Sequence, residues 1–326
     1  MLHRMRISIV LLASFILTLP HSSTYAQEFA SDRIVRAFQL WSGGQPKAAI
    51  AILEPMLRAG VNNADGRDLG VAWNVLGSAY LDLERYDEAK HAYQHAIEEL
   101  RPIPSAQAQY ASTVDSLGRL EDSLGQKDLA KALCEKARHI YEELGDSAGV
   151  AVTSTNLAAI AYAQRDLKTT RRALQRAIQE AQHTTRMIDD DVAAIHLVKS
   201  ALALHDGREA EAMTAIEQAI GLWTHAHGTG YYMLSTGYLV RAEVFAKSRK
   251  YACAISDAQH ALAMAEAAVG RDSVAYLSAE NIYAQILCAS GAKQEASRLK
   301  KEAGSALADL QRRRCSGCAI DATAFR

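Results

Sequence analysis

Proline and cysteine each occur only five times in 326 residues, charges of the two signs nearly cancel, and no apolar run beyond residue 19 could cross a bilayer. Each scarcity excludes something. With so little proline and 49% hydrophobic residues, wholesale disorder is ruled out and a mostly helical chain is expected. Five cysteines are too few to be the main support of a chain this long. Near-neutrality, 36 basic against 37 acidic residues, gives no reason to expect nucleic acid or an anionic membrane surface as partner. Motifs of chemistry are scarce too. No Gly-x-Ser-x-Gly elbow accompanies the histidines, and GxxxxGK[ST] is absent. Gly228-Thr229-Gly230 begins a GxGxxG pattern, but Met233 stands where the third glycine belongs. His225 and His227 are two apart, which separates them on a helix, and nothing fixes them around a metal with Asp189, Asp190 and Asp191. No cofactor or metal is expected, and the chain does not read as an enzyme.

The first 26 residues have the pattern of a secretory signal: Arg4 and Arg6, an apolar run from Ile7 to Leu19, Pro20, then small residues at Thr24 and Ala26 around a processing point. The run is shorter than the roughly 20 residues a spanning helix needs. Cleavage after Ala26 would remove two arginines and no acid, leaving 34 basic and 37 acidic residues. The expectation is an exported bacterial protein, periplasmic or secreted, with no integral membrane segment after the signal.

From residue 27 to 310 one register recurs. In WNVLGSAYLDLERYDEAKHAYQHAI, Trp73, Leu76, Gly77, Tyr80, Tyr86, Ala89, Tyr93 and Ala96 occupy positions 4, 7, 8, 11, 17, 20, 24 and 27 of a unit. Within each half they fall three or four apart, which places them on one face of each of two helices. Units begin near residues 30, 70, 111, 151, 193, 235 and 277, spaced by 40 to 42. Positions 8, 20 and 27 are mostly Gly or Ala, as close approach of helix backbones requires; Ser200 at position 8 and Met56 at position 27 are exceptions. Gly125, Gly207 and Gly291 precede second helices and suit tight turns. A helix pair cannot bury its apolar faces alone, so such units must share layers with their neighbours. The expected fold is all-α, a solenoid of about seven antiparallel helix pairs. Cys134, Cys253 and Cys288 fall in helical patterns and are expected as buried, free thiols.

This pattern resembles the tetratricopeptide repeat family, most closely over residues 70 to 103 and less closely along the rest, in the longer variety seen in kinesin light chains and some bacterial regulatory proteins. The resemblance implies a right-handed superhelix whose concave side, lined by the first helix of each pair, receives a peptide or protein segment. On that implication the inner positions carry Asn74, Ser78 and Asp82; Asp115, Arg119 and Asp122; Thr155 and Tyr162; Glu243 and Lys247; and Asn281 and Gln285, with Asn156 beside them. Asparagine amides can donate to and accept from an extended backbone, which singles out Asn74, Asn156 and Asn281 as contacts. The family's clamp for a free C-terminal carboxylate is not reproduced.

Residues 311–326 form a tail in which Cys315 and Cys318 could join in a local disulfide, remain free, or serve redox or metal chemistry. The function expected is that of an exported scaffold or adaptor for a protein or peptide. Two alternatives stand beside it: a structural protein that self-associates into a homo-oligomer, and an accessory enzyme with a groove site.

Overall fold

The computed structural model describes the backbone of residues 22–60 and 65–315 and the side chains of residues 32–60 and 65–310. Most of the expected signal segment lies outside the described residues, as does the Cys315–Cys318 pairing. Among the described residues there are fourteen α-helices, one 3-10 turn at Pro104–Ala106 and no strand. They form seven hairpins: α1 (Ser22–Ser42) with α2 (Pro46–Arg58), α3 (Gly66–Asp82) with α4 (Tyr86–Leu100), α5 (Gln107–Ser123) with α6 (Lys127–Glu143), and α7 (Ser147–Ala163) with α8 (Leu167–Gln182). The series continues with α9 (Asp189–His205) and α10 (Glu209–His227), α11 (Leu234–Lys247) and α12 (Tyr251–Val269), and α13 (Val274–Ser290) and α14 (Lys293–Cys315).

Each helix packs on the next one along the chain. Odd-numbered helices also touch the odd helices on either side of them, whereas even-numbered helices make no comparable contact with one another. Closer spacing on the odd side bends the stack, so α1, α3, α5, α7, α9, α11 and α13 line its inner face. The solenoid can be seen in single bonds between corresponding points of successive hairpins. Trp41 Nε1 donates to Asp82 Oδ2 at 2.8 Å across 41 residues. Asn156 Nδ2 donates to Asp115 Oδ2 at 2.6 Å, again across 41.

The turn within every hairpin has one geometry. At position 15 the backbone is left-handed in all seven, at Gly44, Glu84, Gly125, Arg165, Gly207, Arg249 and Gly291. In each turn the N–H of that residue bonds three residues back and the next N–H bonds five back, as with Glu84 to Leu81 and Arg85 to Tyr80. This pairing satisfies the carbonyls left open at a helix end.

Side chains at the small positions explain the spacing. The alanines at positions 20 and 27, among them Ala49, Ala89, Ala96, Ala137, Ala219 and Ala261, are fully buried. A Cβ added to Gly77 would lie 2.7 Å from the Tyr93 ring, and one added to Gly118 would lie 2.9 Å from Cys134 Sγ. Ser200 fits at position 8 because its hydroxyl donates to the Ala212 carbonyl at 2.8 Å. Met56 is buried at position 27 of the first hairpin. One expectation is corrected: Cys134 is a buried free thiol, but Cys253 and Cys288 are exposed. Cys253 precedes the buried Ala254, and Cys288 follows the buried Ile286 and Leu287, so helical rotation turns both outward.

Candidate protein-binding groove

On the inner face lies a half-enclosed cavity of about 390 Å3. Asp82 comes from the end of α3, Arg119 and Asp122 from α5, and Asn156 from α7; Tyr232, Thr236 and Ala275 close the far side. A second hollow of about 350 Å3 lies between the first hairpin turn at Gly44–Ala48 and the end of α12, and it shares Asp82 and Tyr232 with the first.

Charge in the cavity is arranged around Arg119. Removal from water works against its guanidinium, but Asp82, the Tyr93 and Tyr232 hydroxyls and Asp115 outweigh that and hold it protonated. Although protein surrounds it, Arg119 is not sealed off, because the cavity reaches it. Burial pushes the Asp82 carboxyl up, against the pull of Arg119 and of bonds from Trp41 and Tyr232. Burial also raises Asp122, with Lys127 opposing.

Behind this wall stands Asp115, 5% exposed, whose carboxyl is raised by burial while the bond from Asn156 opposes the rise. With its nitrogen committed to Asp115, Asn156 has its amide oxygen left to accept. The cavity thus offers donors at Arg119 and acceptors at Asn156 and Asp122. Such a set can hold the backbone or polar side chains of a guest segment, with Ala159 and Ile160 as apolar wall.

Four residues expected on or beside the inner face, Asp82, Arg119, Asp122 and Asn156, line the cavity together. Others do not. Ser78, expected to be open, is 2% exposed and shares a 3.1 Å bond with the Tyr93 hydroxyl, because its helix is covered on that side by α4. Asp115 is likewise buried rather than open, and so is Thr155, whose hydroxyl donates to Ala151 O at 2.8 Å. Asn74 is half-buried, its Oδ1 without a partner among the described residues. Tyr162 donates to the Ala201 carbonyl at 3.2 Å. Glu243 and Asn281 are half-buried and Lys247 and Gln285 exposed, all four outside the cavity lining. Burial raises the Glu243 carboxyl.

Glu84, Tyr86, Tyr232 and Ala275 were not expected in the lining, and they come from turns and helix ends rather than inner faces. No sequence signal marks them: Glu84 replaces glycine at position 15 of its hairpin, but Arg165 and Arg249 do the same in theirs. Among the described residues there is no group of three or more His, Cys, Asp or Glu placed to hold a metal ion. No described helix is long and apolar enough to cross a membrane.

The chain is an all-α helical-repeat protein built of paired antiparallel helices. The tetratricopeptide repeat family model matches residues 71–99. No curated protein matches the sequence significantly. Among solved structures the chain is similar to a Rap protein complexed with competence and sporulation factor, with a TM-score of 0.61 and 13% identity over 86% of this chain and 77% of that one. It is also similar to the APC/C hetero-tetramer Cut9–Hcn1, at TM-score 0.51 and 13% identity over 86% of this chain and 58% of that one. A looser likeness is to BtubC (BKLC) from P. vanneervenii, at TM-score 0.46 and 17% identity over 76% of this chain and 92% of that one. At these identities the likeness concerns the fold.

Proposed function

We propose that this protein is an exported scaffold or adaptor that binds a segment of another protein, or a peptide, in the concave groove. The observation that carries the reading is the cavity itself, where three successive inner helices bring Asp82, Arg119 and Asn156 to one surface. Inner positions of a stacked array have no packing requirement for charge, and buried polar groups are costly unless partnered. A guest that supplies hydrogen bonds to the free faces of Arg119 and Asn156 would offset that cost. The Rap structure of similar architecture holds competence and sporulation factor, which is in keeping with a guest on this kind of frame. Export, in a bacterial periplasm or beyond the cell, rests on the leader-like residues 1–26.

The test is crosslinked capture from the native envelope with wild type and with the double variant Asn156→Ala, Asp122→Ala. Its melting curve establishes that the variant remains folded. Loss of the captured segment by roughly tenfold or more is expected, in line with two polar contacts. Equal capture by wild type and variant overturns the groove assignment.

A further inference from the structure

The accounting of backbone donors at the start of α13 reaches outside its own hairpin. A helix begins with four N–H groups that have no partner within it. Here Tyr276 N donates to Ser273 Oγ at 3.1 Å, and Leu277 N to the Ser273 carbonyl at 3.0 Å. The other two donate to a side chain of the second hairpin: Val274 N to Glu84 Oε2 at 2.8 Å and Ala275 N to Glu84 Oε1 at 2.9 Å, across 190 and 191 residues. A carboxylate facing a helix N-terminus is also favoured by the helix dipole.

Glu84 sits at position 15 of its hairpin, in a left-handed conformation with φ of +56° that glycine adopts at no steric cost. Arg165 and Arg249 share that conformation, so backbone strain alone assigns no role. What sets Glu84 apart is where its side chain ends.

A second crossing lies beside the first. The turn at Gly44 rests against Tyr231, so closely that a Cβ on Gly44 would be 2.8 Å from the ring. Tyr232 reaches the Asp82 carboxylate that Trp41 also holds. Tyr231 is braced from behind by His227, stacked at 4.0 Å, and His227 in turn bonds Asp190 at 2.8 Å. Helices of the first two hairpins and of the last two make no extensive backbone contact across this gap, since extensive contacts join only elements near each other in the chain. The array is bridged by side chains reaching from turns and helix ends.

We propose that these crossings form a clasp that holds the solenoid shut around its own groove: Glu84 on the first turn of α13, and Tyr231 and Tyr232 on the turns of the first two hairpins. Glu84, Tyr232 and Ala275 belong both to the clasp and to the cavity wall, so opening the clasp opens the cavity. That the clasp governs access of a guest rests on the groove being the binding site; the clasp itself does not.

The experiment compares the full chain with Glu84→Gly, Glu84→Lys and the control Arg249→Gly, by amide hydrogen exchange and small-angle X-ray scattering, with no guest present. Glu84→Gly relieves the left-handed turn while removing the carboxylate, so opening cannot be attributed to a strained turn. Glu84→Lys places a cation against the helix N-terminus. Exchange at Val274 and Ala275 is expected to rise on the order of tenfold in both variants, as charge-assisted bonds are lost. The radius of gyration is expected to rise in both, and Arg249→Gly to leave both measures unchanged. Unchanged exchange overturns the clasp, as does faster exchange without expansion, or a uniform rise along the whole chain. Guest capture is read separately: faster capture by Glu84→Lys than by wild type is expected, and equal rates overturn the gating role even where the clasp opens.

Discussion

At Arg249 the backbone takes φ of +59°, the conformation that Gly44, Gly125, Gly207 and Gly291 hold in alternate hairpins. A left-handed conformation costs an L-residue with a Cβ roughly 1–2 kcal/mol, and glycine gives back part of that through its larger freedom in the unfolded chain. Arg249→Gly is therefore expected to raise stability by about 0.5–1 kcal/mol. Thermal unfolding of the two proteins side by side checks this. The glycines of this position were legible as turn residues, because glycine in a tight turn has a local cause. Glu84 was not, since its turn is imposed by the hydrogen bonds common to all seven hairpins and its partner lies 190 residues away. Side-chain destinations on the inner face were harder still. Ser78 and Asp115 share the polar character of Arg119, but Tyr93 and Asn156 cover them.

Charge gathers at one helix start in particular. Three acids, Asp189, Asp190 and Asp191, open α9, and a helix N-terminus favours all three. Asp189 meets His225 at 3.1 Å, and Asp190 meets His227 at 2.8 Å. Asp191 turns inward instead, and burial pushes its carboxyl up to about 6, with the Ile188 backbone opposing and Asp190 adding to the rise. The folded chain thus binds this proton more tightly than the unfolded chain, whose carboxyl titrates near 4. Stability falls as pH rises from about 4 through about 6, and the cost is complete above that window. Asp191→Asn is expected to stabilise the protein by about 1–2 kcal/mol at pH 7.5 and to change little at pH 4. Melting curves at the two pH values measure the difference; equal effects at both would contradict it. Helix pairing itself was legible, because close backbone approach demands small residues, and Ala89, Ala96, Ala219 and Ala261 display that demand openly. The exposure of Cys253 and Cys288 is not legible, since a small residue one step from the packing face looks the same in sequence as one on it.

For the molecule as a whole, stacked repeats are ordinarily one-dimensional: each unit touches its neighbours, and curvature accumulates from small rotations between them. The register of 40 to 42 residues conveys that units stack, but not the sum of those rotations. Whether the sixth and seventh hairpins return to the first two is therefore invisible in any single unit. The cavity shares this fate, because nearly half its wall comes from residues between Tyr232 and Ala275, far along the chain from the residues between Leu81 and Ile160 that supply the rest.

The bond from Val274 N to Glu84 also bears on how the chain tolerates shortening. Repeat proteins commonly survive truncation one unit at a time, with damage confined to the new end. Here, deletion of everything after Asp272 removes the acceptor's partners as well as the terminal hairpin, so amide protection should fall near the opposite end too, around Glu84 and Arg85, while the middle hairpins keep theirs. Exchange mapped along the truncated chain would reveal a molecule that frays from both extremities when cut at one, the behaviour of a hoop rather than a rod.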